Sequence, residues 1–427
     1  MIPTPFRVLD RLREGRPPLP GEVRAAVAGA ADGSWSDAQL GAFLMAVAIH
    51  GLDAEATRDL TVAMLESGER WDLAADFPAL ADKHSTGGVA DTVSLVLGPL
   101  LAACDVPVVM LTGRGLGHTM GTTDKLEAIP GFSLDHDRPA AIRLLAEHGL
   151  AILSPTPALA PADRRLYALR DQTATIRSLP LITGSILSKK LATGAAGLVF
   201  DVKTGNGAFL ADPAEARRLA AGLVDTCRAL GRRATALLTD MSQPLGEWAG
   251  HTAEVRATFE ALEGRGEPDL VAVTFALARE MAALVGRPLA DADLERAIAG
   301  GRAREKLVRW AEAQGGDAAW LARPRFDLAP VEAVIEAPRA GVLARVDTRQ
   351  LGLLLAEAGG GRLGPEPIDL GVALRTRTRL GRPVEPGDEL ARLHLRRDDP
   401  ALVARVAACY EVADDGEAPV LIGGRVG

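Results

Sequence analysis

Two short stretches carry residue types suited to holding an anion. Lys83-His84-Ser85-Thr86 runs into Gly87-Gly88. Further on, Thr112 leads a glycine-rich segment through Gly113, Arg114, Gly115, Gly117, His118, Thr119, Gly121 and Thr122. Hydroxyls, one ammonium and glycine-freed backbone N–H groups make a cradle for negative charge where a strand turns into a helix. The helix N-terminus adds positive potential behind it. Two such turns in neighbouring strand–helix units point to phosphate or a phosphorylated ligand. Neither is a nucleotide signature: GxxxxGK before Ser or Thr is absent, and GRGLGH lacks the third glycine of GxGxxG. ATP and NAD are therefore disfavoured.

A second constellation lies at Tyr167, Arg170, Ser185 and Lys189, on helical text interleaved with leucines. Taken alone, an Arg or Lys on a helix is a solvated face. Beside an anion site, the same set can grip a flat polar ligand through its carbonyl oxygens and stabilise charge developing on it. Pro180, between Arg170 and Ser185, should interrupt the helix and place these residues on two segments around a bend. The chain holds 42 arginines but six lysines, five of them between positions 83 and 203. A compact ammonium and a planar guanidinium are not interchangeable at a tight anion site. Lys83, Lys189, Lys190 and Lys203 are thus candidates for chemistry, whereas Lys125 and Lys306 read as incidental.

The elements that must position these residues alternate in type. The first seventy residues read as helices, opened at Pro20-Gly21-Glu22, at a capping box Ser36-Asp37-Ala38-Gln39 and at Asp53. From Ala79 short apolar runs alternate with helices: strands at Val106–Leu111, Ala151–Leu153 and Leu198–Val202, a helix at Leu95–Ala103, and alternation to about Arg323. This is α/β text with a mostly parallel sheet. Helical text returns at about 162–191, and beyond Phe326 glycine, proline and short β-type runs mark a separate β-rich C-terminal domain.

Composition narrows the class. A chain of 427 residues, 48% hydrophobic and 24% charged, buries a large core in two or three domains. Its net charge of −8 argues against nucleic acid as a partner. No apolar run is long enough for a membrane, and MIPTPFRVLD has no signal-peptide pattern, so the expected location is the cytoplasm. Cys104, Cys227 and Cys409 are far apart and fit a reducing compartment. No zinc or magnesium motif appears; His50, His136, His148, His251 and His394 lack ligand spacing. Glu127 and Lys125, two apart on a helix, cannot face each other, so they and His118 and Asp124 read as structural.

KHSTGG, TGRGLGHTMGTTDKLEAIPG, LYALRD with LITGSILSKK, DVKTGNGAF and DMSQPLG (Asp240–Gly246) together resemble the pyrimidine-nucleoside and thymidine phosphorylases, in order across most of the chain. The resemblance implies phosphorolysis: pyrimidine nucleoside plus phosphate gives free base and (deoxy)ribose 1-phosphate. It implies a helical domain in two separated segments (1–70 and 162–192), an α/β domain (75–160 and 193–325) and a barrel-sandwich-like domain (330–427). A homodimer through the helical domain is expected, with hinges near 70–80, 155–162 and 192–197.

Carried over position by position, the resemblance makes Lys83, Ser85, Ser94, Thr112 and Thr122 phosphate ligands. Tyr167, Arg170, Ser185 and Lys189 become the base site. His84 stands beside the base O2, and His84, Arg170, Ser185 and Lys189 form the catalytic set. Phosphate is a substrate, so no cofactor is required. Some relatives hold a potassium ion; of its positions Thr92 and Leu245 match, while Ala90, Trp248 and Ala257 depart, which puts the ion in doubt. Thr112 keeps the hydroxyl of the usual serine, and Asn206 is harmless in its turn. Met120 and Ala90 replace usual glycines, and a positive φ at Met120 would strain the second loop. The alternatives are an enzyme restricted to thymidine and deoxyuridine, and a non-catalytic nucleoside-binding relative. A lysine-free C-terminal domain, with none after Lys306, offers no attachment point for biotin or lipoate.

Overall fold

The computed structural model describes residues 3–115, 117–362 and 367–427. Leu116 of the second glycine-rich stretch lies outside them, as do 1–2 and 363–366 of the expected helical and C-terminal domains. The chain opens with four helices: α1 (Pro5–Arg13), α2 (Glu22–Asp32), α3 (Asp37–His50) and α4 (Ala54–Glu66). The capping box forms as its sequence predicts. Ser36 Oγ accepts from Gln39 N, and Ser36 N donates to the Gln39 side chain at 2.9 Å.

Strand β1 (Ala81–Ser85), helix α5 (Val93–Ala103), strand β2 (Val108–Leu111), the short α6 (Thr122–Leu126), α7 (Arg138–His148) and strand β3 (Leu150–Leu153) follow. Then come α8 (Pro161–Gln172), α9 (Leu179–Thr193), strand β4 (Gly197–Thr204), α10 (Pro213–Ala229) and strand β5 (Arg233–Asp240). Pro180 does not break a helix. It sits in the first turn of α9, where its missing N–H costs nothing, and the bend lies at residues 173–178 with Ala174 at φ 55°.

After the short β6 (Trp248–Ala249), the expected alternation stops. Residues 251–322 form five helices: α11 (His251–Leu262), α12 (Pro268–Leu284), α13 (Asp291–Ala299), α14 (Arg302–Ala313) and α15 (Ala318–Ala322). The C-terminal part comprises β7 (Val331–Glu336), β8 (Gly341–Val346), α16 (Thr348–Leu355), β9 (Ala373–Thr376), β10 (Pro383–Val384), β11 (Glu389–Leu395), α17 (Pro400–Ala407), β12 (Tyr410–Ala413) and β13 (Ile422–Val426).

The main sheet has the order β13-β5-β4-β1-β2-β3, with β1 to β5 parallel. Helices cover both faces, one core lying against α5 and α11–α14 and the other against α7, α9 and α10. The last strand corrects the expected C-terminal boundary: β13 leaves the β-rich region and pairs antiparallel with β5 at the sheet edge. Two small sheets, β10-β8-β12 and β6-β9-β11-β7, share a core with Val89, Ala90 and Met120 of the two glycine-rich loops.

Helices α1–α4, α8 and the start of α9 bury one common core, in which Phe43, Leu60, Leu166 and Leu181 are fully enclosed. Helix α9 continues into the α/β core through Leu187 and Leu191. The chain segments crossing between these cores pack on one another. A Cβ at Gly68 would lie 2.1 Å from Ala158 O, and one at Gly194 would lie 2.5 Å from Asp72 Cα, so only glycine permits either approach.

Candidate active site

Strand β1 divides its side chains between two faces, as a pleated strand must. Lys83 and Ser85 point towards α5, where Lys83 Nζ donates to Ser94 Oγ at 3.2 Å and Ser85 Oγ donates to Asp91 at 2.9 Å. Asp82 and His84 point towards α9. Lys190 Nζ of that helix pairs with Asp82 at 2.8 Å and donates to the carbonyls of Lys83 and Leu111. One ammonium thus pins α9 to the ends of β1 and β2. Both faces meet at the C-terminal edge of a parallel sheet, where α/β proteins open their crevices.

The second loop closes from the other side. Thr112 follows β2, its N–H held by Leu153 O at 2.9 Å, and Thr122 opens α6. A Cβ at Gly87 would sit 3.6 Å from Thr119 Cγ2, so the two glycine-rich loops face each other. His118 is buried, bonded through Nε2 to Gly207 O at 2.9 Å and tilted against Phe209. Asp124 organises the loop: it accepts from Gly115 N at 2.6 Å and pairs with Arg114 at 2.9 Å. It also pairs with Arg362 at 3.2 Å, so the C-terminal region grips the loop directly.

The suspected strain is not at Met120. Met120 buries its side chain against the C-terminal core, and the residue of that pair held at positive φ is Ala90, at 55°. Lys125 is not incidental either. It is fully enclosed, pairs with Glu254 at 2.7 Å and donates to Asp91 O at 2.6 Å. Glu127 turns instead to Arg114 and Arg362, so the two do not meet.

The base-site candidates do converge. Ser185 and Lys189, one helical turn apart on α9, are joined by a 3.0 Å hydrogen bond from Nζ to Oγ. Lys189 also pairs closely with Asp163 of α8, whose side chain is 5% exposed. Arg170 is buried and donates to Leu181 O at 3.1 Å and Ile176 O at 2.8 Å, which ties α8 to the bend and to α9. Its guanidinium lies 5.4 Å from the ring centre of Tyr167, itself 40% exposed. Burial, with the charges of Lys190, Lys83 and Lys189, pushes the His84 imidazole well below its usual 6.5, so it is neutral at pH 7. Two of those lysines lie on α9, the helix that the His84 side of β1 faces.

Sequence reasoning missed the charges beneath the loops. Asp201 on β4 is fully buried, accepts from Thr239 Oγ1 at 2.6 Å and pairs with Lys203 at 2.8 Å. Asp82, Asp91 and Glu254 were missed likewise. The signal available was a run of acidic and basic residues at strand ends in apolar text. At the potassium positions Thr92 Oγ1 is buried without a hydrogen-bond partner among the described residues. Ala90 O accepts from Gly246 N at 3.0 Å, Leu245 O accepts from Arg379 Nη2 at 3.3 Å, and Ala257 supplies no carboxylate. Away from the site, a cavity of about 300 Å³ is lined by Trp248, Arg256, Arg375, Arg392 and His394. Its arginines are paired with Glu260, Glu247, Glu332 and Glu389. Among the described residues no helix is long and apolar enough to cross a membrane.

Comparison with known proteins gives the class first. The glycosyl transferase family models match residues 7–68 (helical bundle domain) and 78–303 (a/b domain), and the pyrimidine nucleoside phosphorylase C-terminal domain matches 342–413. Thymidine phosphorylase of Rhizobium meliloti (strain 1021) is 42% identical over 434 residues, 99% of each chain. That of Sinorhizobium medicae (strain WSM419) is 43% identical over 428 residues, 98% of each. The chain belongs to the pyrimidine-nucleoside and thymidine phosphorylase family of pentosyltransferases. Anthranilate phosphoribosyltransferase from Thermus thermophilus shares the fold, with TM-score 0.60 over 72% of this chain and 99% of its own, at 17% identity.

Proposed function

We propose that this enzyme cleaves uridine, thymidine and deoxyuridine with inorganic phosphate, giving free base and (deoxy)ribose 1-phosphate for nucleoside salvage. The observation that carries this reading is the docking of α9, which bears Ser185 and Lys189, on β1, which bears Lys83, His84 and Ser85: Lys190 Nζ donates to Asp82 at 2.8 Å and to Lys83 O at 2.9 Å. Phosphate held by Lys83, Ser85, Ser94, Thr112 and Thr122 is the nucleophile at the anomeric carbon. As the C1′–N1 bond breaks, its electron pair moves onto the pyrimidine, where Lys189 and Arg170 stabilise the charge and Ser185 fixes orientation. His84, uncharged, donates a hydrogen bond to the base oxygen, and the proton that completes the free base comes from the hydroxyl of the attacking hydrogen phosphate, passed on through solvent. When a phosphate dianion enters, it offsets the lysine field and makes imidazole protonation easier.

None of the roles above is assigned to a metal ion, and the lack of a carboxylate at Ala257 keeps potassium doubtful. The exposed Phe6, Met45 and Ile49 on α1 and α3 support a homodimer through the helical part, which sedimentation would test. The primary experiment is phosphate-dependent release of uracil from uridine and thymine from thymidine, side by side. Comparable kcat/KM supports the broad enzyme, and a strong thymidine preference supports the restricted alternative. Release of neither base by folded protein would overturn the reading in favour of a non-catalytic nucleoside-binding relative.

A further inference from the structure

Lys203 has no place in the reaction described above, yet it is wholly enclosed at the end of β4. Its ammonium lies 2.8 Å from Asp201 Oδ2 and 3.8 Å from Asp91 Oδ2. Those two carboxylates are the ones nearest the phosphate-side groups. The same Asp201 oxygen is 3.5 Å from Lys83 Nζ, and the same Asp91 oxygen accepts the Ser85 hydroxyl at 2.9 Å. Side chains at positions 201 and 203 share one face of β4, and those at 83 and 85 share the adjoining face of β1. The register sets Asp201 beside Ser85.

Charge must balance in a dry cluster. Lys83, Lys203 and Lys125 face Asp201, Asp91 and Glu254, three against three. Removing Lys203 leaves an uncompensated carboxylate, and the nearest mobile cation is Lys83. Its ammonium would close the remaining distance to Asp201, while the unbalanced charge would repel an incoming dianion. We propose that Lys203 is a positioning residue that occupies Asp201 and Asp91, leaving the Lys83 ammonium for phosphate. The inference rests on the phosphate assignment of Lys83 made above.

The test compares apparent KM for phosphate and for thymidine in four variants, each checked for an unchanged circular-dichroism spectrum. Lys203→Met should raise KM for phosphate at least tenfold while KM for thymidine stays within twofold. A purely structural lesion would move both. Asp201→Asn should leave phosphate KM equal or lower, because Lys83 loses its competitor. The double variant Lys203→Met/Asp201→Asn restores charge balance, tolerates loss of folding in the single variant, and should return phosphate KM to within threefold of the parent. Unchanged phosphate KM in Lys203→Met, a weakened one in Asp201→Asn, or no recovery in the double variant would overturn the proposal. Lys83→Ala separates the two levels. If it raises phosphate KM and Lys203→Met does not, only this inference fails; if Lys83→Ala leaves it unchanged, the phosphate assignment fails.

Discussion

Replacing Lys189 by methionine tests the leaving-group argument directly. The ammonium is held by buried Asp163 and by Ser185 Oγ at 3.0 Å, so it cannot retreat as charge grows on the base. Two unit charges about 4 Å apart attract by about 4 kcal/mol at an effective dielectric of about 20. Asp163 offsets part of this, and an uncharged nucleoside already gains some ion–dipole attraction before reaction. A transition-state loss of about 2–3 kcal/mol remains, about 30- to 150-fold in kcat. The charge exists only as the bond breaks, so KM for thymidine should move far less than kcat. Methionine keeps the length of the aliphatic stem, which preserves packing on α9. The assay is initial-rate thymine release at saturating phosphate, beside a melting curve. A kcat within threefold of the parent, in folded protein, would refute the role of Lys189. Adding Asp163→Asn should recover stability lost to the stranded carboxylate but not turnover.

Three further outcomes follow from the geometry. Lys125→Met should destabilise the protein by about 3–5 kcal/mol, since it strands Glu254 in the interior; denaturant melts showing full stability would refute the pairing, and Glu254→Gln should rescue the loss. Ala90→Gly should raise the melting temperature by about 1 °C: relief of left-handed strain, about 1 kcal/mol, exceeds glycine's added freedom in the unfolded chain, about 0.5 kcal/mol. A lower melting temperature would mean that the lost methyl contact dominates. His84 sets a pH dependence. Its folded value is depressed, so its contribution to stability is fully present above the unfolded value near 6.5 and is lost as pH falls towards the folded value. Melting temperature should therefore drop more steeply on acidification in the parent than in His84→Gln, and parallel slopes would show a protonated imidazole in the folded state.

Local chemistry was legible in the sequence because its signals are local. Capping at Ser36, the glycine loops, and the Ser185–Lys189 spacing each involve neighbours within a turn or two. What escaped depends on partners far along the chain. Lys125 looks incidental until Glu254 lies beside it, and Asp201 looks like an ordinary strand residue until β4 is set against β1. Strain was expected at Met120 because it replaces a usual glycine and would suffer from a positive φ. The backbone turns at Ala90 instead, and Met120 serves as filling between the loop and the C-terminal core. Strand β13 was invisible for the same reason: IGGRV shows little β-type patterning, and its pairing is decided by the open edge of β5.

That edge pairing has a consequence for synthesis. Residues 422–426 seal a sheet whose other strands lie between 81 and 240, so about 180 residues must leave the ribosome before the last strand arrives. During that interval β5 presents a bare row of amide and carbonyl groups. A nascent chain in this state can pair with a second one along β5, and chaperone capture of the sheet edge would be strongest just before residues 422–426 emerge. A pause in translation placed after residue 410 should therefore increase aggregation more than one placed before residue 200.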